Sequence, residues 1–240
     1  MTKIKTILMV LLIATLLIVV SACWMPITGS GNIFTEVYHF TGFTEVEVQD
    51  GFQLELIQGS AFSIKITADD NVHEYVNVEK EGNSLSISLL NDLFGCNSCT
   101  TIAEVTMPDL TKLELSGGSQ ANISGFNVFD NLSLELSGGS QLNGDINFTN
   151  ADFNLSGGSQ INLEGAGDTL IIDGSGGSQL DLELLPINNA DITLSGGGKA
   201  DINVSSTLSV NLSGGSQVNY IGQPTLGDID LSGSSTISSK

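Results

Sequence analysis

Over the C-terminal half of the chain, apolar and polar residues alternate, stop at a pair of glycines, and start again. Ahead of each stop sit Leu113, Leu134, Phe153, Ile172, Ile192, Val210 and Ile229, followed two residues later by Leu115, Leu136, Leu155, Gly174, Leu194, Leu212 and Leu231. Between them lies a polar residue every time: Glu114, Glu135, Asn154, Asp173, Thr193, Asn211 and Asp230. Apolar, polar, apolar has period two, which predicts a strand with one buried face. Beyond each stop the order is Gln120, Gln141, Gln160, Gln179, Lys199, Gln217 and Thr236, then an apolar residue, then Asn122, Asn143, Asn162, Asp181, Asp201 and Asn219. Each repeat therefore predicts two short strands broken by a Gly-Gly corner, where positive φ costs glycine nothing.

The corner glycines Gly117, Gly138, Gly157, Gly176, Gly196, Gly214 and Gly233 are 21, 19, 19, 20, 18 and 19 residues apart. A steady period near 20 marks a solenoid of stacked coils. One such coil cannot bury its own apolar side chains. Stacked coils can, because like positions fall about 4.8 Å apart in neighbouring parallel strands. The pattern predicts an all-β parallel β-solenoid over residues 111–240, with leucine ladders inside and glutamines and asparagines hydrogen-bonded to their copies above and below. Period two also runs through Val46 and Val48, Leu54 and Leu56, Ile64 and Ile66, Leu85, Ile87 and Leu89, and Val105 and Met107, without the glycine refrain. Breaks fall at Asp50-Gly51, Gly59-Ser60, Asp69-Asp70 and Glu81-Gly82-Asn83. Residues 33–110 are thus expected to form a less regular β cap over the open end of the solenoid, the two together making one domain, 33–240.

Upstream, Lys3 and Lys5 precede an apolar run from Ile7 to Val20, then Val20-Ser21-Ala22-Cys23. That order predicts a secretory signal over 1–22, and the run is too short for a confident membrane-spanning helix. The Val-Ser-Ala-Cys end resembles a bacterial lipobox, which implies a lipid on Cys23, the new N-terminus, with residues 23–32 as a tether. Without the signal, five lysines face 27 acidic residues, a net charge of −22, and there is no arginine. Such a surface repels nucleic acid and anionic lipid. It also keeps a glycine-rich β protein soluble.

Candidate chemistry is sparse. Cys96 and Cys99 are most simply read as a loop disulfide in an exported protein; a metal site, a redox pair and free thiols are the alternatives. The carboxylates Glu114, Glu135 and Asp173, and Asp181 with Asp201, could supply oxygen ligands for calcium, although a solvated face explains them as well and Asn154, Thr193 and Asn211 interrupt the acidic column. The corner serines have no histidine near them in sequence, since the two histidines are His39 and His73. Ser/His/Asp catalysis is therefore not expected. No cofactor is expected. Asn-x-Ser/Thr triplets such as Asn122 and Asn154 follow from the repeat wording.

Taken in order, Gly29-Ser30-Gly31-Asn32, Phe43-Thr44-Glu45-Val46-Glu47-Val48, Phe52-Gln53-Leu54-Glu55-Leu56-Ile57-Gln58-Gly59, Asp69-Asp70-Asn71, the Leu-Ser-Gly-Gly-Ser refrain and Tyr220-Ile221-Gly222-Gln223-Pro224 resemble the bacterial auto-transporter adhesins with a head GIN domain. The resemblance implies a right-handed all-β superhelix akin to pectin-lyase folds. It also implies a cell-surface adhesion or envelope-structural role, with no catalytic residues assigned. The expected location is extracytoplasmic, lipid-anchored to the cell membrane or outer membrane, with a surface glycan or a protein as ligand. The rival expectation is a polysaccharide-binding or polysaccharide-processing protein, for which Lys199 is the sole basic residue within the regular coils that could abstract a proton.

Overall fold

The computed structural model describes residues 27–90 and 96–240. Cys23 and its neighbours lie outside the described residues. In chain order the elements are β1 (Ile27–Thr28), β2 (Ile33–Tyr38), β3 (Glu45–Val48), β4 (Gln53–Gln58), β5 (Ser63–Asp69), a single helical turn α1 (Asp70–His73), β6 (Val76–Glu81), β7 (Ser84–Leu89), β8 (Cys96–Asn97) and β9 (Thr101–Met107). They continue with β10 (Lys112–Leu115), β11 (Gln120–Leu136), β12 (Gln141–Leu155), β13 (Gln160–Gly174), β14 (Gln179–Leu194), β15 (Lys199–Leu212), β16 (Gln217–Ile221), β17 (Thr225–Leu231) and β18 (Thr236–Ser239). Strand makes up 68 % of the chain and helix 2 %, in a β-solenoid of about seven turns. Stacked strands must therefore supply the core.

Parallel pairing runs residue on like residue, as the period predicts. Leu134 pairs Phe153, which pairs Ile172, then Ile192, then Val210, all buried. The repeats depart from expectation in one respect. Five coils, β11 to β15, are each a single long strand of 14 to 17 residues from one glycine turn to the next, not two short ones; the last coil is split into β16 and β17. Each long strand folds back at a second bend, where the ladder slips between Ile123 and Phe126, Asn162 and Gly167, and Leu182 and Pro186. From the Gln120-type position to the next Leu134-type position the chain takes 11 to 14 residues. The glycine corner itself never changes length. All variation in coil length is thus absorbed at the second bend, whose sequence is not fixed and whose glycines, such as Gly144 and Gly165, take φ of 137° and 126°.

The glycine corner is held by its flanking serines. Ser119, Ser140, Ser159, Ser178 and Ser216 are fully buried. Each Oγ donates to the carbonyl three residues back, at 2.7 or 2.8 Å. The side chain thereby reinforces the turn locally; in the first two corners the backbone N–H of Ser119 and Ser140 reaches the same carbonyl at 3.2 and 3.3 Å. In successive coils the corners also touch: the N–H of Gly177 donates to Gly157 O, that of Gly197 to Gly176 O, and that of Gly215 to Gly196 O, each at 2.7 Å. One corner lacks its serine, because Gly198 stands in that position. A Cβ on Gly198 would meet its nearest neighbours at 3.6 Å, an ordinary contact. Gly198→Ser should therefore stabilise the protein by about 0.5–1 kcal/mol, through the turn bond and lower unfolded-chain entropy. Chemical denaturation would check it, and a lower midpoint would contradict the role given to the buried serines.

Stacking begins before residue 111. β3 pairs β10 in parallel (Val46 with Leu113, Val48 with Leu115) and β4 pairs the first part of β11 (Gln53 with Gln120, Leu54 with Ala121). Between β3 and β4 the corner is Asp50 and Gly51, at φ of 61° and 78°, a conformation aspartate tolerates better than most residues. Beneath that coil the chain lays another, β7 on β3 and β9 on β4, again parallel. Only then do antiparallel strands close the end, β6 on β7, β5 on β9 and β2 on β5. Hydrogen bonding thus crosses the boundary expected at residue 110. At the far end β17 rests on β15 alone, leaving Leu226 47 % and Leu231 41 % exposed, whereas the equivalent Leu208 and Leu212 are buried.

Candidate functional surfaces

The glycine corners divide two outward faces. On the side preceding the corner, Glu47, Glu114, Glu135, Asn154 and Asp173 stack in register, the last four bordering an open groove of about 290 Å3. The calcium candidates Glu114 and Glu135 already share a cation: Lys112 Nζ lies 3.0 and 3.1 Å from them. Burial alone would lower the Lys112 pKa, but the bonds to Glu114 and Glu135 outweigh it and hold the ammonium above its ordinary value. Asp173 is solvent-facing, one rung beyond Asn154.

On the side following the corner, Gln141, Asn143, Gln160, Asn162, Gln179 and Asp181 line a groove of about 320 Å3. Lys199 and Asp201 close one end of it, 2.5 Å apart. Burial pushes the Asp201 carboxyl up, but bonds from Lys199, Asn219 and Lys240 more than offset it and bring the pKa down to about 2. Lys240 Nζ is 2.9 Å from Asp201 and also bonds Glu183. Lys199, the lone proton-abstractor candidate, is therefore tied into an ion-pair network. Asp181 and Asp201 stack in register, with Asp201 held by lysines. Among the described residues, no group of three or more His, Cys, Asp and Glu is placed to hold a metal ion.

Ser119, Ser140, Ser159, Ser178 and Ser216 are buried and bonded to backbone, and both histidines lie in the N-terminal region, His39 just after β2 and His73 at the end of α1. His73 stacks on Phe34 with ring centroids 3.8 Å apart. Among the described residues, no histidine hydrogen-bonds a serine hydroxyl.

One cluster escaped sequence reasoning. Asp69 is 1 % exposed; its Oδ1 accepts the Gly31 N–H and its Oδ2 the Thr100 N–H, both at 2.7 Å. Asn71 bonds both Thr28 O and the Ser30 N–H, at 2.9 and 3.0 Å. Residues 69–71 thus latch the Gly29–Asn32 segment to the loop that carries Cys96 and Cys99, whose Cα atoms are 5.6 Å apart, a separation that a disulfide spans. The signal was the Asp-Asp-Asn run, read only as a break between strands. The Thr100 and then the Gly31 N–H hold the Asp69 carboxyl below the usual carboxylate range, against burial, which acts the other way. A depressed folded pKa adds stability that is complete above the unfolded value, about 3.9, and is lost as pH falls towards the folded one. Asp201 has the same sign. The melting temperature should therefore drop from about pH 4 downward. Asp69→Asn should melt lower at neutral pH and lose less on acidification; an unchanged pH profile in that variant would exclude Asp69 as a contributor.

The comparisons with known proteins can now be set beside this geometry. A family model described as "Putative auto-transporter adhesin, head GIN domain" matches residues 42–224. The chain belongs to this family. Its match takes in the Asp50-Gly51 corner and the coils up to β16, in keeping with the continuous ladder. Among solved structures, the chain is similar to a putative adhesin from Bacteroides fragilis, with a TM-score of 0.83 and 19 % identity over 89 % of this chain and 100 % of that one. A putative lipid binding protein from Parabacteroides distasonis superposes with a TM-score of 0.74 and 18 % identity, covering 90 % and 100 %. A putative adhesin from Parabacteroides merdae gives 0.69 and 16 %, covering 89 % and 98 %. At these identities the likeness concerns the fold. No curated protein matches the chain.

Proposed function

We propose that this head GIN domain protein is a non-catalytic adhesin, displayed outside the cytoplasm as a stiff rod and held to the envelope by a lipid on Cys23. Membership of an adhesin family is the observation that carries the reading. The surfaces support it: a solenoid offers extended, regular faces for contact, every buried corner serine is committed to its own turn, and Lys199 is committed to Asp201. Residues 33–240 act as one domain in this reading, because β3 and β4 lie between coils contributed by later sequence. Residues 23–32 tether it.

Anchoring and adhesion separate experimentally. Cys23→Ser should move the protein from the membrane fraction to the soluble fraction when cells are fractionated. A variant that stays with the membrane would remove the lipid from the account while leaving adhesion to be tested by cell attachment.

A further inference from the structure

In the groove bordered by Lys199 and Asp201, unbonded side-chain amides are gathered on neighbouring rungs of one face. Some amides near the second bend bond across coils: Asn147 donates to Asn127 Oδ1 at 3.1 Å, Asn150 to Asn131 Oδ1 at 3.4 Å, and Asn188 to Asp168 at 2.7 Å. At the end of the groove Asn219 donates to Asp201 at 2.6 Å. Within it, Gln141, Asn143, Gln160, Asn162 and Gln179 make no side-chain hydrogen bond to any described residue. They occupy three successive rungs in strict register, Gln141 with Gln160 with Gln179 and Asn143 with Asn162. Rungs of a parallel sheet are about 4.8 Å apart, and alternate residues of one strand about 6.6 Å apart. The result is a lattice of five free amides, each bringing two donors and one acceptor oxygen.

We propose that this amide lattice binds an uncharged polyhydroxylated chain, a neutral glycan, laid across the coils. The inference rests on the adhesion reading above and names the ligand class. Hydroxyl groups suit the lattice because each both donates and accepts, as each amide does. A polyanion is disfavoured: Lys199 is the only cation bordering the groove and is paired with Asp201, while the chain without its signal carries −22. A protein partner would want an apolar anchor at the centre. Leu142, Ile161 and Leu180 instead point into the core, at 1 to 2 % exposure. A smaller depression lined by Gln53, Glu55, Gln120, Asn122 and Asn143 extends the same face towards the N-terminal coils. No aromatic side chain lines either depression, so each site binds weakly, and many anchored copies supply retention through avidity.

The test uses the full-length chain released by Cys23→Ser, titrated calorimetrically with laminarin, pullulan, xyloglucan and mannan, with polygalacturonate, heparin and polylysine in parallel. At least one neutral polysaccharide should bind, with affinity insensitive to added salt. The triple variant Asn143→Ala/Gln160→Ala/Asn162→Ala should weaken that binding at least ten-fold at an unchanged melting temperature. Asn143→Asp/Asn162→Asp, which keeps size and removes donors, should do the same, whereas Glu135→Gln on the opposite side of the corner should leave binding intact. Binding only to the charged polymers, no binding to the neutral ones, or undiminished binding in both variants would overturn the proposal. Cells displaying the triple variant separate the two readings. Full attachment by those cells would retain adhesion and refute the amide lattice; no attachment even by wild-type cells would refute adhesion itself.

Discussion

Gly165→Ala is expected to lower the stability of the protein by about 3 kcal/mol or more, combining backbone strain with overpacking. At Gly165 the φ is 126°, a region that alanine scarcely visits, and an added Cβ would sit 2.0 Å from Ile146 O in the coil below. That oxygen is backbone and cannot swing aside. For a chain of this size the loss corresponds to about 6–12 °C in the melting midpoint. Gly118→Ala is the matched control: its φ of 81° is also positive, but nothing lies within 4 Å of the added carbon. It should cost only the conformational term, about 1–2 kcal/mol. Comparable losses at the two positions would mean that the coils do not approach closely at the second bend.

Phe153→Ala should cost about 3–5 kcal/mol, the usual range for truncating a buried aromatic. Phe153 is fully buried between Leu134 and Ile172, and its ring meets that of Phe148 edge-on at 5.9 Å. Truncation opens a hole felt by the coils on both sides, since a solenoid derives its stability from nearest neighbours. Leu226→Ala, on the last coil and already 47 % exposed, should cost less than about 1.5 kcal/mol, because much of its surface is never removed from water. Urea denaturation of both variants checks the difference. Equal losses would contradict a core whose contribution fades at the final coil.

The glycine corner was legible because it repeats at fixed length: seven copies of one constraint expose what each residue does. The second bend was hidden because the residues that absorb length variation share no wording, so one continuous bent strand was read as two. The first two coils were hidden for a related reason. Asp50-Gly51 makes the same turn as Ser-Gly-Gly-Ser with different residues, and β7 and β9 enter the stack out of chain order. The amide ladders were expected beside the corner, at Gln120 and Asn122 and their copies. They form instead near the second bend, at Asn127 with Asn147 and Asn131 with Asn150. A glutamine fixed against its copy gives up more side-chain freedom than asparagine does, and the Asn122 column is interrupted by Asp181 and Asp201, which recruit lysine or its neighbours. Asp69 could not be recognised as a latch from sequence, since its partners are backbone N–H groups at Gly31 and Thr100, 38 and 31 residues away.

Chemistry was the thinnest part of the sequence signal, and the structure gives a physical reason. Several residues that invite a chemical reading are already occupied: buried corner serines by carbonyls, the calcium candidates Glu114 and Glu135 by Lys112, and Lys199 by Asp201. What remains available to a partner is surface, chiefly the free amides between the first glycine corners and Lys199.

The most direct test of an envelope-held adhesin is a count of cells retained under flow on a surface coated with the neutral polysaccharides above. Three otherwise identical strains would be compared, one displaying the wild-type chain, one producing Cys23→Ser and one lacking the chain. The account predicts retention of the first strain well above the other two, with Cys23→Ser falling to the level of the strain without the protein. Equal retention of all three would contradict it.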